Sequence, residues 1–182
     1  AWLKMNKSKN IDEWLDALRM EQLASLNLVY ADKDDNIFFV HNAKSPVRDP
    51  NYNWKQVVPG NKSELIWTDF HPFESVPQIL NPSSGYIFST NQNPFFVTAK
   101  EDNLSLSNFN PTMGFQTRTT NRAYRAYELL DADKSISFSE LDKYKHDNKF
   151  SYNSRQYKFM EEIFNHEFSE NKLKNAQEFL RD

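Results

Sequence analysis

The chain has 182 residues and a formal net charge of −3, with 22 basic side chains dispersed among 25 acidic ones, which argues against a nucleic-acid platform. It contains no Cys, so disulfides, thiol catalysis and Cys-ligated zinc are excluded. No apolar run approaches the ~20 residues that a membrane span needs, while 15 Phe and 8 Tyr supply bulk for a hydrophobic core.

The N-terminal part of the chain is predicted to contain a helix and a β-hairpin. Apolar residues recur with the helical period over Ile11–Leu18, and Asn10 with Glu13 predicts the N-terminal cap of this helix. Leu26–Ala31 and Asn36–His41 are rich in β-prone residues. An acidic turn joins these two runs, which is the pattern of a hairpin.

The middle of the chain is predicted to hold an irregular connection and further short strands. The hairpin turn ends at Asp35, a residue type that tolerates positive φ better than most, so a tight turn is expected there. Residues 43–60 combine prolines with many polar groups, which is typical of a long irregular connection. Two short β-prone runs follow, at Glu64–Trp67 and Tyr86–Ser89.

The chain turns helical in character after Pro111. Apolar stripes at helical spacing predict helices around Ala123–Leu130, Tyr157–Phe168 and Leu173–Leu180. The predicted fold class is therefore α+β, with short antiparallel strands first and helices after them. We expect residues 1–182 to form one segment, strand-rich over about 1–110 and helical over about 111–182.

The segment 81–96 carries the clearest chemical signal in the sequence. A turn at Pro82 and Gly85 precedes the β-prone run 86–89, and a group of side-chain amides starts at Asn91. A strand here would place Asn91 at its C-terminal end, where a rigid backbone can aim a side chain. An uncharged carboxamide held in this way suits hydrogen-bond donation to a developing oxyanion. The alternative is an Asn-rich surface loop.

Several segments, taken together, match the order of a known family. The pattern Asn-Pro-x-x-Gly-aromatic-apolar at 81–87 continues as Asn-x-x-Pro-aromatic at 91–95. The other matching segments are, in chain order, Leu28–Asp32, Asn36–His41, Pro46–Arg48, Pro59–Gly60, Trp67, His71–Pro77 and Thr117–Arg125. Over about residues 5–147 the chain thus resembles the penicillin acylase family of N-terminal-nucleophile hydrolases, and most closely its acyl-homoserine lactone acylase branch.

This resemblance implies an αββα parent fold and hydrolysis of a linear amide through an acyl-enzyme. The substrate would be a penicillin, an N-acyl-homoserine lactone or another N-acyl compound. The family's nucleophile is an N-terminal Ser, Thr or Cys with its own α-amine as base, and this chain offers no candidate in a suitable context. We therefore expect an inactive internal fragment of the catalytic β-subunit. Its partners would be the rest of the same precursor, in the periplasm or outside a bacterial cell.

The resemblance also implies roles for individual residues. Asn91 takes the position of the family's oxyanion asparagine. Arg122 matches a position where some relatives carry an active-site arginine, although it could instead pair with Glu128 on a helix surface. Three aromatic residues are candidates for the wall of an acyl pocket, with plain core packing as the alternative: Trp67, Phe95 and Phe96.

No cofactor is expected for the chain, although calcium is possible in the full-length protein. Asp102 lies where some relatives carry a calcium-binding aspartate, but one carboxylate cannot define a site that needs six or more oxygens. Residues 131–140 resemble an EF-hand loop, yet aligning Glu140 with its bidentate position puts Lys134 where Gly is required. Ser137 and Glu140 instead predict a capping box at a helix start.

Two other classes of function stay open at this point. A carbohydrate- or peptide-binding module would use the abundant aromatic residues and predicts exposed, coplanar rings. An interaction domain with an incidental signature predicts that no Ser, Thr or Cys cleavage site precedes this segment in the full gene.

Overall fold

The computed structural model describes residues 1–23, 25–42 and 44–181, which contain short helices, one small sheet and long irregular connections. The α-helices are α1 (Trp2–Lys7), α2 (Ile11–Leu18), α3 (Asn121–Ala132), α4 (Phe138–Lys145), α5 (Arg155–Asn165) and α6 (Asn171–Phe179). The strands are β1 (Leu26–Ala31), β2 (Ile37–Asn42) and β3 (Gln78–Leu80). They form an antiparallel sheet in the order β1-β2-β3. The predicted α+β class is confirmed.

The chain divides into two compact units, which we name the N-terminal unit (Ala1–Thr119) and the C-terminal unit (Thr120–Asp182). The N-terminal unit holds α1, α2 and the sheet, together with short 3-10 turns between Ser63 and Met113. The C-terminal unit holds α3 to α6.

The predicted hairpin is confirmed, and its turn is built on side-chain oxygens. β1 and β2 pair from Leu26 opposite Asn42 to Ala31 opposite Ile37. The Asp32 carboxylate accepts hydrogen bonds from the backbone N–H groups of Asp34 (2.9 Å) and Asn36 (3.1 Å). Asp35 has the expected positive φ, 61°. Hydrogen bonds from the turn's own backbone to the Asp32 side chain thus close the turn.

The predicted helix caps are also confirmed. Asn10 accepts a hydrogen bond from the backbone N–H of Glu13 at 2.9 Å, and the Glu13 carboxylate accepts one from Lys9 N–H at 2.9 Å. Ser137 and Glu140 form a reciprocal capping box at the start of α4. Each cap satisfies backbone donors that the first helical turn leaves free.

The central strand β2 is buried on both faces. Phe38 and Val40 point to one side, where they pack with Trp14 and Leu18 of α2. Phe39 points to the other side and packs with Ile79 of β3 and Val97. The apolar run Phe38–Val40 of β2 therefore lies between α2 on one face and Ile79 and Val97 on the other.

Two of the predicted strands are wrong. Glu64–Trp67 begins in the 3-10 turn Ser63–Leu65 and continues without regular structure, with Ile66 68% and Trp67 49% exposed. Tyr86–Ser89 is not a strand either, although Phe88 N–H donates to the Val97 carbonyl at 2.9 Å. β-propensity reflects packing on a half-buried sheet, and neither run has a paired ladder in the described part of the chain. The sequence also missed α1, and α5 ends before Phe168.

A salt-bridge network inside the C-terminal unit joins α3 to Asp147, two residues after the end of α4. The Arg125 guanidinium donates to both oxygens of Asp147, at 2.8 and 2.9 Å, and also reaches Glu128 at 3.4 Å. The side chains of Arg125 and Asp147 are only 20% and 15% exposed. Hydrogen bonding to Arg125 lowers the pKa of Asp147 to about 2.

This pairing predicts that the C-terminal unit loses stability in acid. The folded-state pKa of Asp147 lies below its ordinary value of 3.8, so the stabilisation is complete above that value and is lost as pH falls toward about 2. Asp147→Asn should lower the free energy of unfolding by about 1–2 kcal/mol at pH 7 and flatten this acid dependence. Helix melting followed by far-UV circular dichroism at pH 7 and pH 3 measures both. Asp142→Asn, at a 63% exposed carboxylate, is the control, and an unchanged acid profile in Asp147→Asn contradicts the prediction.

Candidate functional site

Residues 88–96, which we name the amide loop, contain consecutive carboxamides at Asn91, Gln92 and Asn93. Gln92 and Asn93 are only 4% and 8% exposed, whereas Asn91 is exposed. Buried amides must find hydrogen-bond partners, and an exposed amide is free to bind something else. Gln92 and Asn93 are therefore expected to bond within the protein, whereas Asn91 is open to a ligand.

The side chain of Gln92 closes the amide loop from inside. Its Nε2 donates to the carbonyls of Phe88 (3.1 Å) and Phe96 (2.9 Å), one at each end of the loop. Its Oε1 accepts from the backbone N–H and the hydroxyl of Thr90. The sequence analysis did not single out Gln92, because a pattern of amides does not reveal which of them is buried.

The side chain of Asn93 anchors the same loop to a second segment of the N-terminal unit. Its Nδ2 donates to the Thr117 carbonyl at 3.2 Å and lies 3.4 Å from both the Arg118 carbonyl and the Thr119 hydroxyl. Its Oδ1 accepts from Phe95 N–H at 3.0 Å. Asn93 is thus committed to structure.

The sheet supports the amide loop through a pair of side chains. Asn27 of β1 lies opposite His41 of β2, and its Nδ2 donates to the Gln92 carbonyl at 2.9 Å. Asn27 Oδ1 is therefore left as an acceptor for His41 Nδ1, 2.7 Å away, which assigns the Nδ1–H tautomer to His41. Burial lowers the pKa of His41, so the ring stays neutral at pH 7.

Asn91 sits at the tip of this loop with a left-handed backbone, φ 63°. Asparagine is one of the few residues that adopts this conformation readily. Within the described part of the chain its side chain makes no hydrogen bond, so both of its N–H donors are available. The predicted strand that would deliver Asn91 is absent, and a braced turn delivers it instead.

The structure places the predicted pocket aromatics in different surroundings. Phe95 is half-buried and packs with Phe109 and Phe115 at ring-centroid distances of 5.7 and 5.6 Å. Phe96, also half-buried, contacts Phe88 edge-on at 5.8 Å. Both residues belong to the amide loop itself. Their role in a pocket stays a prediction.

Trp67 is the exposed member of an aromatic ladder in the N-terminal unit, whose other members, Tyr52 and Trp54, are half-buried. Its ring lies 6.1 Å from that of Trp54, which lies 6.3 Å from Tyr52, and the Arg48 guanidinium sits 5.1 Å above Trp67. The ring planes are inclined by 53° and 58°. This ladder does not supply the coplanar platform that a carbohydrate-binding module predicts.

The carboxylate of Asp102 is hydrogen-bonded to the turn at residues 83–84. Its two oxygens accept hydrogen bonds from Ser84 N–H and the Ser83 hydroxyl, each at 2.7 Å, and these bonds lower its pKa. Among the residues that the structure describes, no group of three or more His, Asp or Glu side chains is arranged to hold a metal ion. Calcium binding by Asp102 stays a prediction.

Arg122 is exposed in the first turn of α3, in the C-terminal unit. Its predicted alternative partner, Glu128, instead accepts from Arg125, Ser151 and Asn153. The proposed substrate role of Arg122 stays a prediction.

A cavity of about 360 Å³ lies between the hairpin turn and the turn at 81–85, and none of the predicted site residues lines it. No helix in residues 1–23, 25–42 and 44–181 has the length and apolar character to cross a membrane.

Comparison with known proteins finds similar sequences and a similar solved structure. A family model described as penicillin amidase matches residues 1–182. Penicillin G acylase from Escherichia coli is 36% identical over 94 residues, which make up 52% of this chain and 11% of that protein. The thermostable penicillin G acylase from Alcaligenes faecalis, in its orthorhombic form, superposes with a TM-score of 0.65 at 22% identity.

These matches cover less than a third of the length of each relative. The superposition with the Alcaligenes faecalis structure covers 97% of this chain and 30% of that chain. It shows a shared fold over nearly the whole sequence described above. The match of the family model over the full length goes further, and it establishes that this chain belongs to the penicillin amidase family.

Proposed function

We propose that this chain is part of an amidohydrolase that cleaves a linear amide through an acyl-enzyme, and that Asn91 donates a hydrogen bond to the oxyanion. The observation that supports this role is the exposed, unbonded carboxamide of Asn91 at the tip of a braced loop. Its neighbours Gln92 and Asn93 have no donor to spare, so Asn91 alone among the three can offer N–H groups to a ligand.

The chemistry needs a donor that is neutral and held in place. Attack on an amide carbonyl turns its oxygen into an anion, and a fixed N–H dipole aimed there stabilises the transition state more than the ground state. The nucleophile in this proposal is an N-terminal Ser, Thr or Cys that lies outside this chain, with its own α-amine as base. A backbone N–H outside the chain would complete the oxyanion hole.

The substrate in this proposal is a penicillin, an N-acyl-homoserine lactone or a related N-acyl compound. Phe95 and Phe96 lie in the amide loop and would contact the acyl group, with Trp67 and Arg122 as further contacts. Calcium, if the full-length protein binds it, would use Asp102 together with oxygens from elsewhere. The working partner is the rest of the same precursor, and the proposed setting is the bacterial periplasm or the extracellular medium.

The proposal predicts activity in the full-length, processed protein and none in residues 1–182 alone. Penicillin G and long-chain acyl-homoserine lactones are incubated with each protein, and release of amine and acid is followed by mass spectrometry. The 182-residue chain should match a heat-inactivated control, because it supplies an oxyanion donor without a nucleophile. Turnover by the short chain would contradict the division of roles, and an inert full-length protein would contradict the reaction class.

A further inference from the structure

The side-chain hydrogen bonds of Gln92 are all made within the amide loop. A carboxamide offers two N–H donors and an acceptor oxygen with two lone pairs. In Gln92 both donors bind carbonyls, of Phe88 and Phe96, and the oxygen accepts twice from Thr90. With 4% of its surface exposed, Gln92 has no capacity left for a ligand.

These bonds hold the chain on both sides of Asn91. Before it, the N–H and hydroxyl of Thr90 are fixed by Gln92 Oε1. After it, the backbone carbonyl of Gln92 is fixed by Asn27 from the sheet, at 2.9 Å. The left-handed conformation at Asn91 costs free energy for most residues other than Gly, and Asn is among the few that adopt it readily, so these bonds hold a turn that the residue type already favours.

We infer that Gln92 is a positioning residue for Asn91. It sets the direction in which the Asn91 carboxamide leaves the loop and does not touch the substrate. This role rests on the proposed function of Asn91 as oxyanion donor. A donor is effective only when it lies at hydrogen-bond distance from the oxyanion, and a displacement of about 1 Å can cost up to ~10²-fold in rate.

The test uses the full-length, processed protein with penicillin G and a long-chain acyl-homoserine lactone as probes. Gln92→Ala should lower kcat by about 10–100-fold and leave KM within a few-fold, because binding contacts are retained while the donor is misplaced. In a double-mutant cycle, Gln92→Ala should cause no further loss in the Asn91→Ala background. A residue that merely supports the fold would lower activity by the same factor in both backgrounds.

Asn103 provides a matched control in the adjoining segment. Its Oδ1 accepts from Val97 and Thr98 N–H, at 2.8 and 3.3 Å. Its Nδ2 donates to the Thr98 and Ala99 carbonyls, at 2.9 and 3.0 Å. Asn103→Ala thus removes the same kind of amide brace without touching Thr90 or the Gln92 carbonyl, and it should lower thermal stability while kcat stays within about threefold of wild type.

Gln92→Met keeps the side-chain volume without the hydrogen bonds, and it replaces Gln92→Ala if the alanine variant does not fold. An unchanged kcat in a folded Gln92 variant overturns the positioning role, and so does an independent loss in the Asn91→Ala background. If the unmodified full-length protein hydrolyses neither probe, the proposed function is wrong, and the inference about Gln92, which depends on it, is wrong as well. An active enzyme with additive mutants overturns the role of Gln92 alone.

Discussion

In the full-length, processed protein, Asn91→Ala is expected to lower kcat by about 10²–10³-fold while KM stays within a few-fold. The lost hydrogen bond strengthens only as negative charge develops on the carbonyl oxygen, so the ground-state complex is little affected. The folded yield should stay near normal because the Asn91 side chain is exposed and supports no contact in the described part of the loop. Steady-state kinetics with penicillin G and an acyl-homoserine lactone measure the effect.

Two further substitutions at this position separate the backbone from the side chain. Asn91→Gly accepts φ 63° without strain, so a similar loss of kcat in this variant assigns the effect to the carboxamide. Asn91→Asp should be at least as damaging, because a carboxylate would face the developing anion. Asn81→Ala, at another left-handed asparagine with φ 46°, is the control and should keep kcat within a few-fold. Near-normal kcat in all three Asn91 variants would remove Asn91 from the oxyanion hole.

Phe39→Ala is expected to cost about 3–5 kcal/mol in the free energy of unfolding of the N-terminal unit. Phe39 is 0% exposed and packs between Ile79 and Val97, so its removal leaves a cavity that the paired strands cannot close. Urea titration followed by Trp fluorescence measures the change, and it reports on this unit alone. The chain's four Trp, at positions 2, 14, 54 and 67, all lie before Thr119.

Val29 offers the matched control for this substitution. It lies directly opposite Phe39 in the β1–β2 register, yet it is 48% exposed. Val29→Ala should therefore change the free energy of unfolding by less than about 1 kcal/mol. Equal effects of the two substitutions, or a cost below about 1 kcal/mol for Phe39→Ala, would show that β2 is not the centre of the core.

The elements that the sequence predicted correctly are those governed by local chemistry. The Asn10 cap, the turn before Asn36 and the capping box at Ser137 each depend on side chains within a few residues of the groups they bind. The predictions of strands at 64–67 and 86–89 were wrong because strand formation depends on a paired strand, which can be distant in sequence. Local propensity carries no information about such a partner.

The residues proposed for the site stay predictions, and what the structure adds is how the loop around them is built. The spacing pointed to Asn91 because a resemblance to a family transfers positions, but it does not transfer contacts. The brace from Gln92 and the support from Asn27 and His41 depend on contacts between β1 and a loop 65 residues later. Which of three adjacent amides is buried follows from this tertiary packing alone.

The left-handed residues of this chain have a consequence for how it can evolve. Besides two of its glycines, positive φ occurs at Glu21, Asp35, Asn81 and Asn91 within the described residues. A glycine at such a turn would free the unfolded chain and offer no functional group. Under the proposed oxyanion role, Asn91 supplies both the left-handed turn and the donor, so few neutral replacements exist: glycine keeps the turn without the donor, aspartate keeps it with the wrong charge, and most others strain it.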